Sequence, residues 1–132
     1  MKHRIRWVPE AAIRAMHAEL IAEHGGRAGI RDVGLLSSAL ARPQNRRAYG
    51  ASSAPFDLAA AYGIAIIKNH PFIDGNKWVA LAVMYVFLEM HGYRLDAPEV
   101  EAVEVMLRLA AGDQDEKLLS EWLKKNSAPI LK

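Results

Sequence analysis

HPFIDGNKWVALAVMYVFLEMHG, residues 70–92, changes character partway along. It opens with polar, turn-prone residues and becomes a greasy run that has to be buried. The apolar core of that run, Val79 to Leu88, has the length of a buried helix and falls well short of the roughly 20 residues of a membrane span. The spacing predicts a helix from about Lys77 to His91, closed by Gly92. Upstream, Asn69-His70-Pro71 has to end the preceding helix, because a residue before proline is pushed out of the helical region. His70 is therefore expected in an extended conformation at the loop edge. Phe72, apolar in polar company, should plug into the core and pin the loop. Asp74-Gly75-Asn76 is turn chemistry, since Gly75 and Asn76 tolerate left-handed backbone.

Working outward, PFDLAAAYGIAIIKN (55–69) reads as a mostly apolar helix with Pro55 near its start. EAAIRAMHAELIAEH (10–24) carries Ile13, Met16 and Leu20 on one side and ends at Gly25-Gly26, an amphipathic helix. Asp32 is a suitable N-cap for a short helix over Val33 to Ala41, with Pro43 stopping it. Residues 42–54, RPQNRRAYGASSA, read as the longest loop, and long loops are often functional. Tyr93 to Ala97 links to a helix from Pro98 to about Ala111, and Gly112-Asp113 breaks it. A last helix spans Asp115 to Asn126 with Leu118, Leu119, Trp122 and Leu123 facing inward. The tail SAPILK (127–132) is expected to fray. At the other end, residues 1–8 form a short extended segment in which HRIRWV puts Ile5 and Trp7 on one face. Strand signals are otherwise nearly absent. The expected fold is all-α, about six helices in one domain over residues 1–132.

Bulk composition agrees with an ordinary globular domain. Of 132 residues, 52% are hydrophobic and 24% charged, which is neither a disordered nor a membrane composition. The opening MKHRIRWVPE has charges with no apolar segment behind them, so no secretory signal is expected. Cysteine is absent, which excludes disulfides and thiolate metal sites and fits a cytoplasmic location. The net charge of +2 hides an asymmetry: residues 1–50 hold nine Lys/Arg against four Asp/Glu, residues 51–132 eight against eleven. A basic N-terminal half attracts acidic partners, yet a solvated charged face explains it equally well.

The chemistry concentrates in the loop. The helix starting near Lys77 presents free backbone N–H groups and its positive dipole end to the loop, an anion site. Lys77 adds a positive charge where the dipole disfavours one, a placement that an anion would relieve. His70 can serve as a general base near neutral pH. Asp74 is a hard oxygen ligand suited to Mg²⁺ bridging phosphates. Asn76 can hydrogen-bond phosphate or fix the loop. Metal, anion cradle and base together are the parts of phosphoryl or nucleotidyl transfer. Residue by residue the plain reading, caps and surface side chains around a turn, wins; the combination favours function. His17, His24 and His91 read as surface or helix-end residues. Tyr62, Tyr85 and Phe87 read as core, and Asp57 as a first-turn dipole partner. Arg42, Arg46 and Arg47 either steer an acidic partner or sit in a solvated loop.

HPFIDGNK (70–77) resembles the signature of the Fic/Doc family, His-Pro-Phe-x-Asp/Glu-Gly-Asn. Lys77 stands where most Fic enzymes have glycine and the death-on-curing (Doc) branch has lysine. Upstream, GGRAGIRDVGLLSSALARPQ (25–44) is similar to the Doc-branch segment Gly-Ile-Arg-Asp-x-Gly-Leu-Leu. The resemblance covers nearly the whole chain. It implies the compact all-α Fic fold and the toxin of a type II toxin–antitoxin pair. It further implies transfer of the ATP γ-phosphate to a translation factor, a threonine of elongation factor Tu. Carried onto this chain, His70 would deprotonate the acceptor hydroxyl and Asp74 would hold Mg²⁺ or orient the site. Gly75, Asn76 and Lys77 would cradle the phosphates of ATP, with Trp78 in the next nucleotide-binding position. The 42–54 loop would be the family's flap, which docks the target.

One position departs from the family pattern: Trp78 stands where the family has a phosphate-binding arginine. An indole carries one N–H donor and no charge and cannot replace a guanidinium fork. Activity is therefore expected to be reduced or abolished. The self-inhibiting pattern Ser/Thr-x-x-x-Glu-Gly/Asn of some Fic proteins is absent, and the chain has no threonine. Inhibition should come from a separate antitoxin whose disordered segment folds on binding, with DNA reached only indirectly through it and no membrane involved. Two alternatives stay open: a catalytically inactive antitoxin-binding co-repressor, and an AMP-transferring Fic enzyme.

Overall fold

Helix α3, Pro55–Asn69, is the axis of the molecule, with every residue from Leu58 to Ile67 buried. A helix that is apolar on all sides has to be surrounded, and α3 packs against helices on each flank. The computed structural model describes residues 4–48, 54–112 and 115–130. Around α3 lie α2 (Val33–Ala48), α4 (Asn76–Met90), α5 (Glu99–Ala111) and α6 (Glu116–Lys125), with α1 (Glu10–His24) packed on α4. Two three-residue strands, β1 (Tyr93–Leu95) and β2 (Ser127–Pro129), pair antiparallel with Arg94 opposite Ala128. The fold is all-α with six helices, as expected. No helix among the described residues is long and apolar enough to cross a membrane.

Local signals explain most boundaries. Pro55 sits at the start of α3 with Asp57 in the first turn, the acidic position the dipole favours. Asp57 also accepts a hydrogen bond from Ser120 Oγ in α6. Asp32 caps α2, its Oδ1 accepting from the Leu35 N–H at 2.9 Å, and Asp115 caps α6 through the Leu118 N–H at 2.8 Å. Gly25 and Gly112 terminate α1 and α5 with positive φ.

Outside the loop at residues 70–77 and its supports, four expectations differ from the fold. The first is α2, which does not stop at Pro43 but runs through it to Ala48, so residues 42–48 are helix rather than loop. Proline removes one hydrogen bond and crowds the preceding turn. Here Pro43 is buried, and the added turns let Arg42 and Arg46 both pair with Glu116 of α6. Those two arginines are thereby engaged within the fold, while Arg47 is exposed. The rest of the expected flap, residues 49–53, lies outside the described residues. The second is the tail, where residues 127–129 form β2, with Ile130 N–H bonded to Gly92 O at 2.9 Å; Leu131 and Lys132 lie outside the described residues. The third is Leu118, 49% exposed, because Leu119 and Leu123 with Trp122 define the inward stripe of α6 and Leu118 falls beside it. The fourth is Tyr85, 38% exposed on the outer face of α4, whereas Tyr62 and Phe87 are core as expected.

The N-terminal segment reads as a strap without regular structure. Ile5 and Trp7 pack against the core and Val8 is buried. The Val8 N–H donates to Tyr62 Oη at 3.1 Å. Burial pushes the Tyr62 hydroxyl above its ordinary 10.0, partly offset by that N–H, so it stays protonated. Arg6 closes the far end of α4, its Nη2 donating to Met90 O at 2.8 Å and its N–H to His91 Nε2 at 3.1 Å.

At Gly63 of α3 a Cβ would press into the side chain of Met84 in α4. Met84 is fully buried and cannot swing out. Gly63→Ala should therefore destabilise the protein by about 1–3 kcal/mol despite alanine's better helix propensity. Urea unfolding of the two proteins checks this.

Candidate active site

The loop between α3 and α4 is held in shape from three sides. At its start, α3 ends with His70 as C-cap in the left-handed region, φ 50 and ψ 55. This corrects the extended conformation expected for it. The left-handed turn lets the His70 N–H reach Ile66 O at 3.0 Å. It costs about 1–3 kcal/mol in a residue other than glycine, and His70 is the one such residue among those described. Arg31 offsets that cost: its Nε donates to His70 O at 2.7 Å and its Nη2 to Asn69 O at 2.9 Å. The carbonyls at the C-terminal end of α3 are thus capped by a guanidinium, and the His70 side chain is left at the surface.

From one flank, residues 29–32 run antiparallel to residues 71–73. Ile30 bridges Phe72, Arg31 N–H donates to Pro71 O at 2.7 Å, and Ile73 N–H donates to Gly29 O at 3.1 Å. This is the Gly-Ile-Arg-Asp segment, so its role is to brace the loop. From beneath, Phe72 is 1% exposed, with the His17 imidazole stacked on it at 3.9 Å. From the front, Asn76, 4% exposed, turns its amide back on Phe72. Its Oδ1 accepts from the Phe72 N–H at 3.0 Å and its Nδ2 donates to Phe72 O at 2.9 Å. Of the two roles open to Asn76, its side chain takes the loop-fixing one, which leaves only its backbone N–H for an anion.

The anion end itself is open. α4 begins at Asn76, with Gly75 as a left-handed N-cap, φ 81, and no side-chain cap. Its first N–H groups are unclaimed by any intrahelical carbonyl. Asp74 Oδ2 accepts from the Arg27 N–H at 2.7 Å, which leaves Oδ1 as the oxygen for a cation. Lys77 is exposed. Trp78 is half-buried and lies flat on His24, 4.6 Å between ring centroids and 5° between planes. A cavity of about 220 Å³ brings together all six expected residues, His70, Asp74, Gly75, Asn76, Lys77 and Trp78, with Ile67 and Ala110 as its apolar walls.

Three participants escaped the sequence reading. His17, which reads as a surface or helix-end residue in the sequence, is instead buried, 4% exposed. It lies four residues after Ile13, on the same inward stripe of α1, a signal that was present. Arg31 and Arg27 act through contacts 38 to 47 residues away, for which no local pattern exists. His91, by contrast, sits at the end of α4 as expected.

Asn76→Ala should leave the buried Phe72 N–H and C=O without partners, a cost of about 2–4 kcal/mol. Denaturant unfolding reads the loss. Asn76→Asp, which keeps the acceptor and loses the donor, should fall between alanine and the parent.

A family model described as the Fic/DOC family matches residues 7–88. The chain is 40% identical over 95 residues to a protein named Toxin Doc of Mycolicibacterium smegmatis, covering 69% of this chain and 72% of that protein. It is 35% identical over 98 residues to the protein named Protein kinase doc of Escherichia phage P1, covering 74% of this chain and 77% of that one. The matched residues take in the loop, the brace from α1 to α2 and the helix behind them, and on that footing the chain belongs to the Fic/DOC family, in its Doc branch.

Proposed function

We propose that this chain is the toxin of a toxin–antitoxin pair and a protein phosphotransferase that moves the γ-phosphate of ATP to a hydroxyl of a translation factor. A threonine of elongation factor Tu is the expected acceptor. The relatives' names, a toxin and a protein kinase, support the class. The observation that carries the chemistry is a base and an anion cradle on one small cavity: His70 on a strained left-handed turn beside the uncapped start of α4.

His70 Nε2 or Nδ1 takes the proton of the acceptor hydroxyl as its oxygen bonds to the γ-phosphorus and the bond to the β-phosphate oxygen breaks. Backbone N–H groups at the start of α4 and the Lys77 ammonium hold the phosphate charge in place. Among the described residues no three His, Asp or Glu side chains gather around a metal position, so Asp74 would hold a cation with few protein partners. That donor set fits Mg²⁺, which takes few protein ligands and completes its shell with phosphate oxygens and water. Bound there, Mg²⁺ would supply charge neutralisation across the phosphates. The cavity of about 220 Å³ suits the phosphate end of a nucleotide, with the rest lying across its mouth.

Trp78 weakens this machinery, because its ring is engaged with His24 and brings no charge to the phosphates. Control of the toxin falls to a separate antitoxin with a segment that folds on binding, through which DNA is reached, and the setting is the cytoplasm.

The test is intact-mass spectrometry of elongation factor Tu incubated with ATP, Mg²⁺ and either this protein or its Trp78→Arg form. The Arg form should add one phosphate about 10²–10³-fold faster. Equal rates contradict the reading of Trp78. Addition of AMP makes the protein a nucleotidyl transferase, and no addition by either form removes elongation factor Tu as the substrate.

A further inference from the structure

We infer that His17 is a positioning residue that sets which way the phosphate-facing backbone of the active-site loop points. This rests on the phosphotransferase reading of the loop. His17 Nε2 lies 2.7 Å from the carbonyl oxygen of Asp74. A carbonyl only accepts, so Nε2 carries a proton and donates it. The ring has no freedom to do otherwise, being buried and stacked on Phe72 at 3.9 Å and 11°.

The consequence follows from peptide geometry. In a trans peptide the C=O and N–H point to opposite sides of the chain, and no cis bond is present. Tying the Asp74 carbonyl back to α1 therefore turns the Gly75 N–H away from α1. Gly75 lines a cavity whose walls include no residue of α1, and no hydrogen bond among the described residues uses its N–H. Gly75 thus adds a fourth free donor to the N–H groups of Asn76, Lys77 and Trp78 at the start of α4, since the Val79 N–H is already bonded to Gly75 O, and successive free N–H groups of this kind suit phosphate. The α1 side of Gly75 is closed: a Cβ there would lie 3.2 Å from Ile21 Cδ1 and 3.6 Å from His17 Nε2, at a φ of 81. Asn76 fixes the peptide groups of Phe72, and His17 independently fixes the peptide after Asp74.

A histidine that only fills core space would be replaced without loss by an apolar residue of similar size, and this separates the two roles. His17→Gln keeps a donor at the position of Nε2; His17→Phe keeps the stack and loses the donor. Should His17→Phe not fold, His17→Met fills the same space without a donor. The orientation of the Gly75 N–H, from residual dipolar couplings in the full chain, and the affinity for ATP with Mg²⁺ are measured for each. The parent and His17→Gln should share one Gly75 orientation and bind ATP within about threefold of each other. The folded donor-free variant should show a rotated or averaged Gly75 N–H and about tenfold weaker ATP binding. An unchanged Gly75 orientation in that variant overturns the inference whatever ATP does, and a rotated one with undiminished ATP binding overturns it as well. If the parent binds no ATP yet the Gly75 vector moves only in the donor-free variant, His17 positions the loop and the phosphotransferase reading falls instead.

Discussion

Two hydrogen bonds between the Asn76 amide and the backbone of Phe72 hold the rest of the site in place. Phe72 has to be buried to anchor the loop, and burying it strands a donor and an acceptor where neither a helix nor a strand can serve them. A carboxamide is the one neutral side chain with a donor and an acceptor spaced to serve both groups of one residue. Placing it in the first turn of α4 ties the end of the loop to its beginning, so the helix start and the His70 turn keep a fixed relation. Arg31 does the complementary work on the other side, holding the last carbonyls of α3. The strain of a left-handed histidine is tolerable because both flanking segments are clamped.

Much of this was legible in residue order. The polar-to-apolar change at Trp78 locates the loop and the helix after it, and the uninterrupted apolar character of PFDLAAAYGIAIIKN marks the central helix. The six loop residues do share one cavity. What escaped depends on distant partners. Pro43 breaks a helix by local rule, yet two ion pairs to Glu116 and burial carry α2 past it. A three-residue strand whose partner lies more than thirty positions away leaves no periodic signal. His70 was placed by the rule for residues before proline, which describes an unconstrained chain and not one whose carbonyls are held by an arginine.

Trp78 is the point where fold and chemistry part. As a structural residue it fits: the indole finds a flat partner in His24 at the end of α1, and so ties α4 to α1 near the cavity mouth. For the proposed phosphate contact it supplies no charge. The loop's shape is independent of that stack, since the clamps at Phe72, Asp74 and His70 do not pass through residue 78.

The clamps on Phe72, Asp74 and His70 build the loop before any ligand arrives. Native-state hydrogen exchange of the Phe72 and Ile73 amides, with no nucleotide present, tests that most directly. Their N–H groups donate to Asn76 Oδ1 and Gly29 O, so they should exchange only through global unfolding, with the same free energy as the amides in the middle of α3. Exchange that is orders of magnitude faster than in α3 would show a loop that opens on its own, and a cradle assembled by its ligand instead of awaiting it.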